Sequence, residues 1–132
     1  MKILNKLTRK VIIEIEELWN ADLRGIDLSN ADLRNKDLSY ADLRGANLEN
    51  ADLSNAELRS ADLRGAKLNN SILKSATLSV ADLRGADLSN TDLSYASLCS
   101  TNLRGANLNG ADTKNADFSN AKLDETDKSI KE

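Results

Sequence analysis

From Ala21 to Glu125 the chain alternates apolar and polar positions on a period of five. Positions one and three of each unit are apolar, and positions two, four and five are polar. This gives 21 consecutive units of the form Ala-Asp-Leu-x-x, with no insertion or deletion. The third position is Leu in 19 of the 21 units, the exceptions being Thr113 and Phe118. The first is Ala in 16 of them, replaced by Ile26, Lys36, Ser71, Thr91 and Thr101. A period of five fits neither a helix at 3.6 residues per turn nor a flat strand at two. It predicts short extended pieces that turn Ala and Leu inward and are joined by regular corners. The fifth position is the corner. All six glycines fall there, and most other residues at that position are Asn or Ser, types that tolerate tight or left-handed backbone.

A second period sets the number of sides. Ala-Asp-Leu-Arg-Gly recurs at 21–25, 41–45, 61–65 and 81–85, followed by Thr-Asn-Leu-Arg-Gly at 101–105. Asn at the fifth position recurs on the same 20-residue spacing at Asn30, Asn50, Asn70 and Asn90. Side chains that repeat every four units stack, so one coil has four sides. At a strand spacing of about 4.8 Å, the repeats predict about five coils and a rod roughly 25 Å long.

In these units the chain resembles the pentapeptide-repeat family, over residues 21–125. The resemblance implies an all-β solenoid, a right-handed quadrilateral β-helix. A narrow coil of this kind has room for one Leu and one small residue per side, so rings would overpack it. That accounts for a composition with 40% hydrophobic residues, only 3% aromatics and a mean hydropathy of −0.47. Lys36 stands at an inward Ala position, where its ammonium must reach water or leave a flaw. Thr113 interrupts the Leu column near the far end.

An open β-helix end exposes unpaired backbone, so caps are expected. Residues 1–20 are predicted to form an N-terminal capping helix. On a helical wheel Leu4, Leu7, Val11, Ile15 and Leu18 share one face, with Trp19 nearby, and that face would cover the first coil. Two features oppose the helix. The alternation Ile13-Glu14-Ile15-Glu16 reads as a strand, and the order of basic then acidic residues is the reverse of what the helix macrodipole favours. At the other end residues 126–132 are a polar tail with Ile130 as its one apolar anchor, and Phe118 is placed to plug the last coil.

Charge and inventory narrow the chemistry. The chain of 132 residues has a net charge of −3, no His, no Pro and a single cysteine, Cys99. This excludes most zinc sites, catalytic triads, disulfide frameworks and a strongly basic nucleic-acid binder. The start of the chain lacks the long apolar run of a signal peptide or membrane span. A cytoplasmic location is expected, with no membrane association. Cys99 lacks a His to activate it and reads as an incidental thiol. The many Asp residues repeat as surface texture rather than converging in a cleft, so no enzyme activity, cofactor, metal or small-molecule substrate is expected.

The outward columns are the candidate surface. Arg24, Arg44, Arg64, Arg84 and Arg104 stack on one face, flanked by Asp22, Asp42, Asp62, Asp82 and Asn102. This face is either a rigid charged ruler for a repeating partner or a solvated surface whose Asp column offsets repulsion among the arginines, and the latter is favoured because such pairs contribute about 0–1 kcal/mol each. The Asn30–Asn90 column reads as corner residues. Tyr40, Tyr95, Ile72 and Val80 project outward as a lesser candidate for partner contact, with the two tyrosines on different faces.

The leading expectation is a non-catalytic structural or protein-interaction module, a rigid charged rod whose partner is a protein, monomeric rather than homodimeric; the resemblance implies a cyanobacterial type. The alternative implied by the resemblance is a DNA-mimicking rod that binds and protects or inhibits a type II topoisomerase. Such members are strongly acidic and dimerise through an apolar C-terminus, and several carry protruding loops. Residues 21–125 hold 12 basic and 16 acidic side chains, net −4. No loop interrupts a unit, and the C-terminal tail is polar. All three departures weigh against that alternative.

Overall fold

The computed structural model describes residues 1–127. Every second-position residue from Asp22 to Asn102 forms a parallel bridge to the residue 20 positions later. The bridges sort into four ladders. The first face runs Asp22, Asp42, Asp62, Asp82, Asn102, Lys122, and the second Asp27, Asn47, Lys67, Asp87, Asn107. The third runs Asp32, Asp52, Ile72, Asp92, Asp112, and the fourth Asp37, Glu57, Thr77, Ser97, Asp117. The result is a four-sided parallel β-helix with the 20-residue coil that the second sequence period predicts.

Each side closes with a turn. The first-position N–H bonds back to the third-position carbonyl of the preceding unit, as in Ala46 to Leu43 at 3.0 Å. Every fifth residue from Asn20 to Asn120 has φ between +56° and +76°. Positive φ at the third residue of a four-residue turn is the requirement of a type II turn, which explains the Gly, Asn and Ser of this column. The second position has its own duty. Its side-chain oxygen accepts the backbone N–H two residues on, as Asp42 does for Arg44, Asn47 for Glu49 and Asp112 for Lys114. Asp and Asn are the residues that can make this bond.

The core is the stack of inward positions. Every Leu of the third-position column is buried, and Phe118 is buried among them. Three of the departures from Ala are buried hydroxyls with partners. Ser71 bonds the Leu68 carbonyl at 2.6 Å, Thr91 that of Leu88 at 2.7 Å, and Thr101 that of Leu78 at 2.9 Å. Each adds a polar group without leaving it unsatisfied. Thr113 and its neighbours Ala111 and Ala116 are half-buried, so the core thins toward the C-terminal end.

The N-terminal segment corrects the helix expected for residues 1–20. Strand β1 (Lys2–Asn5) pairs antiparallel with β2 (Val11–Glu14), and its other edge pairs antiparallel with β3 (Ala31–Asp32) of the first coil. The sheet order is β2-β1-β3. The loop is held by Asn5, whose side-chain oxygen accepts from Leu7 and Thr8 at 2.9 and 3.0 Å. The physical reason lies in the exposed edge. A helix could cover the apolar mouth of the first coil but could not bond its open backbone, whereas β1 does both. The β-branched run Val11-Ile12-Ile13 also suits a strand. Ile3 and Leu18 are fully buried, Ile12, Ile13 and Ile15 pack on the core, and Leu7 and Val11 of the supposed helical stripe face solvent.

At the other end the Asp124 side chain accepts from Gly105 N at 2.9 Å, in place of a following coil's carbonyl. A short turn of 3₁₀ type covers residues 125–127. Ile130 and most of the tail expected at 126–132 lie outside the described residues.

Candidate functional site

The first face carries the arginine column. Arg24, Arg44, Arg64 and Arg84 each grip the Asp two residues earlier at two points. Nε donates to Oδ1 at 2.8–2.9 Å and Nη2 to Oδ2 at 2.6–2.7 Å. Each of the first three also leans toward the next coil, Nε to Asp Oδ2, at 3.7–3.8 Å. The carboxylates titrate low as a result. The Arg24 bond pulls Asp22 down to about 2, and Asp42, Asp62 and Asp82 are lowered by Arg44, Arg64 and Arg84 in the same way. Arg104 meets Asn102 instead and has no ion-pair partner among the described residues. The arginines and aspartates predicted from the sequence are thus brought together, as pairs that neutralise one another.

An equivalent pair stands on the third face, where the spacing Asp32-Leu33-Arg34 repeats the pattern outside the column. Arg34 grips Asp32 at 2.8 Å through both nitrogens, and Arg9 of the hairpin loop reaches the same carboxylate at 3.3 Å. Sequence reasoning missed this cluster because Arg9 lay in the segment read as a helix. The Asp-x-Arg spacing was a signal that could have found half of it.

The corners hold the exposed apolar groups. Tyr40 and Val80 occupy the corner that ends the fourth face, and Tyr95 the corner that begins it. They are 52%, 61% and 52% exposed, with φ of 62°, 64° and 61°. Trp19 meets Tyr40 edge to face at a centroid distance of 5.9 Å. The tyrosines stand on different corners, and those corners bound one face. Between them the outward residues of units 76–80 and 96–100 carry no charge: Thr77, Ser79, Ser97 and Cys99. The Ser79 and Ser97 hydroxyls lie 3.2 Å apart, and the Cys99 thiol donates to Asp117 Oδ2 at 3.1 Å. Bonds from Ser119 and then Cys99 pull Asp117 down to about 2. Ile72 is half-buried within its ladder rather than projecting.

Among the described residues no group of three or more His, Cys, Asp or Glu is placed to hold a metal ion. Among the described residues no helix is long and apolar enough to cross a membrane.

The comparisons agree with this geometry. The family model for pentapeptide repeats matches in eight copies, over residues 17–50, 37–74, 81–120 and 101–127. A pentapeptide repeat protein from the Arabidopsis thaliana thylakoid lumen is 32% identical, with a TM-score of 0.70, over 85% of this chain and 74% of that one. HetL, a pentapeptide repeat protein involved in heterocyst differentiation regulation in the cyanobacterium Nostoc, is 34% identical with a TM-score of 0.51, over 79% of this chain and 60% of HetL. A pentapeptide repeat protein from the cyanobacterium Cyanothece is 28% identical with a TM-score of 0.59, over 80% of this chain and 89% of that one. No curated protein matches the chain. Period, ladders, corners and relatives agree, and the chain belongs to the pentapeptide repeat family.

Proposed function

We propose that this chain is a non-catalytic protein-interaction module, a rigid rod that meets its protein partner along the fourth face. One observation carries the reading. Val80 and Tyr95 are bulky, exposed and held at left-handed φ, where Gly would sit without strain and Asn with less. A β-branched residue at positive φ is strained by about 1–2 kcal/mol. Both side chains stay more than half exposed, at 61% and 52%. Backbone strain kept at an exposed position points to contact with something outside the chain. The uncharged serines and threonine between the two corners suit an apolar or neutral surface, and aromatic side chains at such a site supply binding energy at low entropic cost.

The Arg24–Arg104 and Asp22–Asp82 face is assigned the solvated role in this proposal. The guanidiniums of Arg24, Arg44, Arg64 and Arg84 are already gripped by the chain's own carboxylates, so a partner would have to displace them for little gain. The same pairing counts against topoisomerase binding by DNA mimicry, which needs carboxylates whose charge is not cancelled.

The test is capture from extract of the native source by wild type, by Val80→Ser/Tyr95→Ser and by Arg44→Glu/Arg64→Glu/Arg84→Glu. Serine already fills other corners of these columns, at Ser60, Ser75 and Ser100. A protein held by wild type and by the arginine variant but released by the corner variant is the expected outcome. A protein released only by the arginine variant would move the contact to the first face. A gyrase supercoiling assay in which excess protein inhibits or protects would favour the topoisomerase reading.

A further inference from the structure

Lys36 stands where the coil elsewhere takes Ala, Ser, Thr or Ile. Its half-buried side chain lines a cleft of about 370 Å³ between the N-terminal hairpin and the third face. Lys2 of β1, Arg9 of the loop and Arg34 of the first coil line the same cleft, and Asp32 is its one acidic wall residue. Four cations therefore share one cleft with a single carboxylate, in a chain whose net charge is −3. Asp32 is engaged by Arg34 and Arg9, which fixes both guanidiniums in place. Lys2 and Lys36 have no ion-pair partner among the described residues.

Two further features mark the cleft as built for a ligand. Like charges gathered in a concavity raise the free energy of the empty fold, and Lys36 could be replaced by the repeat's usual Ala to relieve it. Arg9 has φ of 60°, a left-handed conformation that Gly or Asn would adopt with less strain. The side chain held there is the one that closes the cleft over Asp32. A volume of this size is at the lower end for small-molecule sites. Guanidinium and ammonium donors converging from several sides are the arrangement that recognises phosphate oxygens.

We propose that this cleft binds a small phosphate-bearing anion, with Lys36 and Lys2 as the free ammonium donors and Arg9 as the guanidinium whose charge is left over, since Arg34 already holds Asp32 at two points. Leu4, also on the wall, leaves an apolar side for the organic part of such a molecule. The site shares Lys36 with the first unit of the fourth face, but neither Val80 nor Tyr95 is on its walls, and it does not depend on the interaction proposed there.

The experiment is calorimetric titration of the full chain with inorganic pyrophosphate at about 0.15 M salt, repeated with Lys36→Ala, Arg9→Asn and the third-face control Lys74→Ala. Lys36→Ala restores the repeat's usual residue, so folding is retained; matched circular dichroism and melting curves check this. Saturable binding is expected, weakened about tenfold or more by Lys36→Ala and by Arg9→Asn, as loss of a charge-assisted donor implies, and unchanged by Lys74→Ala. Absence of binding to wild type at millimolar pyrophosphate would overturn the proposal. So would binding that Lys36→Ala and Arg9→Asn leave intact.

Discussion

Arg44 holds Asp42 by two hydrogen bonds, Nε to Oδ1 at 2.8 Å and Nη2 to Oδ2 at 2.6 Å, and Asp42 at the same time accepts the Arg44 backbone N–H at 3.3 Å. One carboxylate thus fixes a turn and neutralises a guanidinium. The arrangement recurs along the first face, so the loss of charge on these carboxylates acts on many turns together.

That recurrence gives a pH dependence of definite sign. Asp22 and Asp117 titrate at about 2 in the folded chain, and Asp42, Asp62, Asp82 and Asp87 are also lowered, against about 3.9 for an unfolded Asp. Lowered folded values contribute stability that is present above the unfolded pKa and lost as pH falls through the folded one. The melting temperature is expected to be level from pH 8 to about 5 and to drop between about pH 4 and 2. Thermal melts followed by circular dichroism across that range check it. An unchanged melting temperature at pH 2 would contradict it.

The Leu column is the main source of cohesion. Leu63 is fully buried in the central part of the stack, and truncation there leaves a cavity that neighbouring coils cannot close. Leu63→Ala is expected to cost about 2–5 kcal/mol in urea unfolding, and Leu63→Lys to prevent cooperative folding. Lys74→Ala, at an exposed outward position, should change stability by about 0.5 kcal/mol or less.

The hairpin is expected to be a cap in the functional sense as well as the geometric one. Ile3 is fully buried beneath it, and Lys6 N bonds the Asn30 carbonyl at 2.8 Å. Ile3→Asp places a charge with no partner in that contact. It should release the hairpin, lower the melting temperature and expose the first coil's edge to a second copy. Light scattering should detect concentration-dependent association in the variant at concentrations where wild type is monodisperse.

The repeat made the coil legible because each of its positions has a single physical task. Leu23 to Leu123 fill, Ala fits, Asp42 and its equivalents bond the next turn, and Gly45 or Asn50 turns the corner. The hairpin was harder to read. Leu4, Leu7, Val11, Ile15 and Leu18 satisfy helical spacing, and what decides between helix and strand is the open backbone of the first coil, a partner distant in sequence. The arginine column was legible as a column, but its two-point grip on the preceding Asp depends on turn geometry. Tyr40, Val80 and Tyr95 could be picked out as departures, yet that Val80 and Tyr95 sit on corners bounding the uncharged stretch of Thr77, Ser79, Ser97 and Cys99 on one face emerges only when the coil is closed. The cleft at Lys36 was half visible, as a misplaced lysine. Its other walls, Lys2 and Arg9, arrive through the hairpin.

The central claim is that Val80 and Tyr95 are kept for contact at the expense of the fold, and urea unfolding of Val80→Asn/Tyr95→Asn tests it most directly. Asn is the commonest non-glycine residue at these corners and relieves left-handed strain. The account predicts a double variant that is more stable than wild type by about 1–2 kcal/mol, with an unchanged slope against urea. A double variant less stable than wild type would show that these side chains serve the fold itself, and would contradict the account.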